Sequence, residues 1–215
     1  MGSTTANRSN ALHATHAPAA AAIFWLKSRA LIVRRLGANL ASGEIFRRYR
    51  RAAAIPAEAQ LLARDEHPVY TATDRREHDL ELGKVHNLRI AAAAVDGILL
   101  HPGEVFSFWS AAGRPTRGKG YVLGRELRQG CMVPSIGGGI CQLTNALSRV
   151  AHHADLEIVE RHSHTAHPPG FFIDDRTDAT VFWNYIDLRF RAPVGVRIGA
   201  TLTESTLVVR LDALR

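Results

Sequence analysis

A cysteine follows three glycines in Ile136-Gly137-Gly138-Gly139-Ile140-Cys141-Gln142, and the residues after it have the spacing of a helix. Leu143, Ala146, Leu147, Val150, Ala151 and Ala154 recur at helical intervals, so the predicted helix begins close to Cys141 and buries that stripe. Cys141 lies off the stripe, with Asn145, Ser148 and His152. A thiol at a helix N-terminus meets the positive end of the helix dipole and unsatisfied backbone N–H groups, both of which favour thiolate. The N–H groups from Gly139 to Gln142, with the Gln142 side chain, are candidate donors to an oxyanion. Gly138 and Gly139 permit positive φ and let a substrate carbonyl approach the main chain. The chemistry this suits is acyl transfer through a thioester. The competing structural reading is a glycine turn followed by a small buried cysteine.

Such a nucleophile needs a base, and the base needs a partner that orients it. Glu160-Arg161-His162-Ser163-His164-Thr165 carries two imidazoles, which share a face if 156–164 is a strand. Asp178, in Asp178-Ala179-Thr180-Val181, is placed to accept Nδ1–H from such a histidine and fix its tautomer. Arg161 is a candidate for holding a substrate carboxylate, with an ion pair to Glu160 or Asp178 as the alternative. His162 is a further substrate-side candidate, or else a surface imidazole. Cys141 with His152, His153, His162, His164 and His167 would suit zinc by residue type, but their spacing matches no closed structural site. The expectation is therefore no metal and no cofactor.

These segments, with Pro102-Gly103-Glu104-Val105-Phe106-Ser107-Phe108-Trp109 and Gly120-Tyr121 before them and Phe182 to Leu188 after them, come in an order that resembles the VanW family from about Asn87 to Phe190. The glycine-cysteine-glutamine core, followed by Glu160-Arg161-His162 with His164 and by Asp178 to Val181, carries the resemblance. It implies a link to glycopeptide resistance and cell-wall chemistry, since some proteins with this domain are regarded as L,D-transpeptidases that cross-link peptidoglycan stem peptides. It also favours His164 over His162 as the base. The function expected is a cysteine acyltransferase on peptidoglycan-type peptides, with Cys141, His164 and Asp178 catalytic. A non-enzymatic module that binds wall peptide or a membrane partner is the alternative.

The elements that must position these residues read as α+β. Residues 1–18 look like a tail, and 19–74 like a basic helical segment, with two or three helices and no strands between Ala20 and Ala63. Residues 75–215 form the VanW-like domain. Within it a helix is expected from Arg75 to Val95, then strands at 105–109, 121–123, 156–164 and 180–190, and a hairpin from Gly195 to Leu211. The result is a helical N-terminal part beside a mostly antiparallel sheet, with one central helix carrying Cys141.

Charge divides the chain in the same place. Residues 1–51 hold nine Lys/Arg and one Glu, or +8, whereas the remaining residues are close to neutral. A basic arm with interspersed Ile23, Phe24, Trp25, Leu31 and Leu36 suits an anionic membrane surface through residues 20–51, without sequence-specific reading of nucleic acid. The apolar stretch Ala17 to Leu26 falls short of the roughly 20 residues that cross a bilayer, and its basic residues follow it, unlike those of a signal peptide. The compartment expected on that ground is the cytoplasm. Two cysteines in 215 residues are no disulfide framework, and Cys131 is expected to be buried and inert.

Overall fold

The alternation of Val196, Ile198 and Ala200 against Leu207, Val209 and Leu211 sends six apolar side chains to one side of the C-terminal hairpin, and all six are buried. That face is the floor on which the site is built. The structure is a computed structural model that describes residues 18–41, 43, 47–71, 77–128, 131–164 and 174–214. In chain order the elements are α1 (Pro18–Ala41), β1 (Arg50–Arg51), β2 (Gln60–Pro68), α2 (His78–Val95), β3 (Ile98–Leu100), β4 (Val105–Ser107), α3 (Phe108–Ala112), β5 (Leu123–Arg128), β6 (Cys131–Ile136), α4 (Ile140–His153), β7 (Glu157–Glu160), β8 (Arg189–Arg191), β9 (Val196–Leu202) and β10 (Thr206–Ala213).

The strands form a five-stranded sheet in the order β1-β3-β9-β10-β2, a three-stranded sheet β4-β8-β7, and the separate hairpin β5-β6. Every pairing is antiparallel. Helices α2 and α4 touch each other and both rest on the five-stranded sheet. Leu88, Ala91 and Val95 of α2 and Leu143, Ala146, Leu147, Val150 and Ala151 of α4 are fully buried between them. Burying one such leucine contributes about 1.5–3 kcal/mol, so the apolar stripe fixes the rotation of α4 and with it the direction of Cys141. The fold is the α+β arrangement expected.

Several elements differ from their sequence reading, each for a local reason. Of the helices expected up to residue 63, α1 forms, but β1 pairs with β3 and Gln60–Pro68 is a strand, because β10 takes it as an outer partner from Thr206↔Pro68 to Ala213↔Gln60 and this pairing outweighs the local helix propensity. The strand expected at 105–109 stops at Ser107, whose hydroxyl accepts from Ser110 N–H and starts α3. Tyr121 and Val122 precede the strand that begins at Leu123. The strand expected at 180–190 is a tight turn closed by a Phe182–Ile186 bridge, with Asn184 at φ 63°, and only 189–191 pairs. β7 ends at Glu160, so His162 and His164 lie beyond the strand. Cys131 is exposed at the start of β6 rather than buried, and neither cysteine is in a disulfide. No helix among the described residues is long and apolar enough to cross a membrane.

Candidate functional site

The start of α4 is shaped by glycines with positive φ, Gly137 at 82° and Gly139 at 101°. Gly139 is the N-cap, and a side chain there would enter the Lys84 side chain, its Cβ 2.1 Å from Lys84 Cγ. The chain can therefore turn into the helix against α2 only with glycine at this position. Gly138 N–H donates to Ser135 O, Ile140 N–H to Gly137 O and Gln142 N–H to Gly139 O. Among the described residues no acceptor takes the N–H of Gly139 or Cys141. Of the backbone N–H groups from Gly139 to Gln142, these two are left as candidate oxyanion donors. Gly138 and Gln142 also line the cleft while holding it together: Gly138 O accepts from Asn87 Nδ2, and Gln142 Nε2 donates to Pro68 O at 2.7 Å, tying α4 to the end of β2.

Cys141 is half-buried at the helix start, its Sγ 3.8 Å from Thr180 Oγ1. His164 reaches it from the segment after β7. Its ring Nδ1 is 2.8 Å from Asp178 Oδ1 and 3.0 Å from Oδ2, and its backbone N–H donates to Oδ2 at 2.6 Å. Asp178 is fully buried. With Nδ1 held by the carboxylate, the nitrogen that remains for the Cys141 thiol is Nε2, which is sealed from solvent. Burial would lower the His164 pKa, but the Asp178 carboxylate and the Cys141 sulfur outweigh it and push the imidazole up to about 10. The arrangement favours an imidazolium beside sulfur at neutral pH.

The acid segment is held to α4 by side chains off the apolar stripe. Thr144 Oγ1 donates to Ala179 O at 2.5 Å, and Asn145 Oδ1 accepts Ala179 N–H at 2.7 Å. Thr180 N–H donates to His162 O at 2.8 Å, so the two segments that carry His164 and Asp178 run alongside each other. Arg161 clamps them: its Nη1 donates to Ser163 Oγ and to the carbonyls of Asp175 and Asp178. Arg161 does not line the cleft, and neither does His162, which is exposed with Nε2 3.6 Å from Glu160 Oε1. Ser148 is buried in the core, while Asn145 and His153 reach the cleft. His167 lies outside the described residues. Among the described residues no three His, Cys, Asp or Glu side chains converge as metal ligands do.

Cys141 and His164 open on a cleft of about 490 Å³. One wall is the β5-β6 hairpin, through Arg125, Leu127 and Met132, and the other is Pro68, Thr71 and the start of α4. Under it lies a buried charge cluster that sequence reading missed. Lys84 Nζ is 2.9 Å from Glu81 Oε1 and 2.8 Å from Thr71 Oγ1, and Arg125 bridges Glu81 at 2.8 Å and Glu77 at 2.9 Å. Burial would raise Glu81, but Arg125, Thr71 N–H and Lys84 hold its carboxyl down at about 2. Burial lowers Lys84, against the pull of Glu81. The signal was present: Glu81 and Lys84 fall on the same helical stripe as Leu88, Ala91 and Val95, where a charge is unexpected without a partner.

The raised imidazole pKa has a measurable consequence. Because His164 binds its proton more tightly in the folded state, its contribution to stability is full below pH 6.5 and is lost as pH rises through about 10. The difference in unfolding free energy between the wild type and His164→Gln should shrink over that window. An NMR titration should find the His164 ring still charged at pH 9, and an Asp178→Asn variant should titrate lower. A His164 ring that is neutral at pH 8 would refute the pairing.

Comparison with known proteins gives the family. A family model described as VanW like protein matches residues 83–211, which takes in most of α2, the β5-β6 hairpin, α4 and most of the C-terminal hairpin. The chain is 39% identical over 106 residues to the uncharacterized protein YoaR of Bacillus subtilis (strain 168), covering 49% of this chain and 34% of that one. It is 35% identical over 111 residues to the vancomycin B-type resistance protein VanW of Enterococcus faecalis (strain ATCC 700802 / V583), covering 50% of this chain and 40% of that one. The chain thus spans well under half the length of these relatives. No solved structure matches. The family match covers more than half of the residues and contains Cys141, His164 and Asp178, so the chain belongs to the VanW family.

Proposed function

We propose that this protein is a cysteine acyltransferase acting on peptidoglycan-type peptides, in the manner of an L,D-transpeptidase. The observation that carries the proposal is the Cys141–His164–Asp178 arrangement at a cleft, with the Gly139 and Cys141 N–H groups taking no acceptor among the described residues. The name of the Enterococcus faecalis relative, a vancomycin B-type resistance protein, supports a cell-wall peptide as substrate. The cleft volume suits a few residues of peptide.

In this mechanism the Cys141 thiolate attacks a stem-peptide carbonyl carbon and forms a C–S bond, while the carbonyl oxygen becomes an oxyanion facing Gly139 and Cys141 N–H. His164 gives its Nε2 proton to the departing amine, the C–N bond breaks, and a D-amino acid leaves behind a thioester. An acceptor amine then attacks the thioester and passes a proton to Nε2, and the C–S bond breaks to restore thiolate and imidazolium. Asp178 keeps the ring in the tautomer and orientation both steps need.

Incubation with muropeptide tetrapeptides should give a mass adduct on Cys141, or cross-linked dimers with release of a D-amino acid. If wild type yields neither adduct nor product while equilibrium binding of the same peptides is measurable, the protein is a wall-peptide binding module and the enzyme reading fails.

A further inference from the structure

The C-terminal half of helix α1 leaves large apolar side chains in solvent. Over residues 29–41 the partly covered residues are Ile32, Arg35 and Asn39, spaced so that they form one narrow edge. That edge meets the protein through polar groups. Arg35 Nη2 donates to Glu160 Oε2 at 2.7 Å and lies 3.7 Å from Asp187, and Asn184 Nδ2 donates to Ile32 O at 3.3 Å. The opposite side carries Leu26, Val33 and Leu40, seven residues apart and 62%, 68% and 58% exposed, with exposed Ala30 and Gly37 between them. A seven-residue interval drifts only about 20° around a helix, so the three side chains make one stripe. Lys27 and Arg34 border it on one side and Arg29 on the other, all exposed, and α1 holds no acidic residue.

An apolar stripe held outward by a polar anchor needs a cover, and the charges beside it say which. A second copy of the chain would set Lys27 and Arg34 against their own kind, which costs free energy. An anionic lipid surface takes both features: leucine and valine enter the boundary of the acyl region while lysine and arginine reach to the headgroups. The helix is too polar to cross a bilayer, so it lies along one. We infer that α1 docks the protein on an anionic membrane surface through the Leu26, Val33 and Leu40 stripe and its basic borders. Arg35 then ties the docked helix to Glu160, at the end of the strand that leads into His164.

Co-sedimentation of the full chain with vesicles tests this. Wild type should pellet with phosphatidylcholine vesicles containing phosphatidylglycerol, less so as salt is raised, and not with phosphatidylcholine alone. Leu26→Ser/Val33→Ser/Leu40→Ser should keep the wild-type circular dichroism and lose the binding. Lys27→Gln/Arg34→Gln should weaken partitioning by about tenfold or more and flatten its salt dependence. Equal binding by wild type and the triple variant, equal affinity for neutral and anionic vesicles, or no binding of wild type to either would overturn the inference. So would a wild-type dimer in sedimentation velocity that the triple variant abolishes, because it would assign the stripe to a second copy.

Discussion

Cys141→Ala and His164→Ala should each lower the rate of acyl transfer by about three orders of magnitude or more, and the double variant should be scarcely slower than either alone. In the proposed mechanism sulfur and imidazole act as one unit. The Cys141 sulfur is among the groups that hold the His164 proton. Removing either partner therefore removes what the other contributes. Release of D-amino acid from a muropeptide, followed for the two single variants and the double, is the measurement. Losses that multiply would mean that the residues act independently. Asp178→Asn should cost less, because an amide oxygen can still accept from Nδ1 of the His164 ring. Its mark should lie in pH dependence: without the carboxylate the imidazolium gives up its proton earlier, and the high-pH limb of the rate profile should move down.

Of the candidate site, the helix that carries Cys141 was legible in sequence because it depends on local pattern. Leu143 to Ala151 fix the rotation of α4, and the glycines fix its start. The chemistry a triad requires pointed to a contact between Asp178 and a histidine, and the structure places both carboxylate oxygens against the His164 ring. The choice of His164 over His162 came from the family pattern; period-two alternation would have placed both on one face. β7 ends before either, and the chain then follows contacts no local rule gives, with Thr180 N–H on His162 O and the Arg161 clamp on Asp175 and Asp178. The fold class was legible and several element boundaries were not. Gln60 to Pro68 has no strand signature of its own and becomes one because β10 needs an outer partner. The charge cluster beneath the cleft escaped for a related reason. Glu81 and Lys84 mark themselves as odd on a buried stripe, but Arg125, the further partner of Glu81 in the cluster, is known only once the hairpin is folded over α2.

Gly138→Ala should lower the unfolding free energy by about 3–5 kcal/mol, a large part of the 5–15 kcal/mol typical of a domain. The reason is a glycine-on-glycine contact that seats the β5-β6 hairpin. A Cβ on Gly138 would stand 2.3 Å from Gly124 O and 2.4 Å from Gly124 C, and a Cβ on Gly124 would stand 2.5 Å from Gly138 O. Gly83 makes the neighbouring approach, with a Cβ 1.9 Å from Leu123 O. These are backbone atoms, which cannot step aside as a side chain does, so the whole hairpin must shift. Shifting it strains the Asn87 bridge, which donates to both Gly138 O and Val122 O and accepts from Val122 N–H. Each hydrogen bond lost there adds about 1 kcal/mol to the cost. Gly103→Ala separates this clash from backbone strain, since Gly103 has φ 78° but open space around it and should lose only about 1 kcal/mol. Gly118→Ala, with neither constraint, should be close to neutral. Thermal unfolding of the three variants should put Gly138→Ala about 10 °C below wild type, and its remaining folded protein should label more slowly at Cys141, because α4 begins two residues on. If Gly138→Ala melts with Gly103→Ala, the contact between Gly124 and Gly138 is not what seats the hairpin.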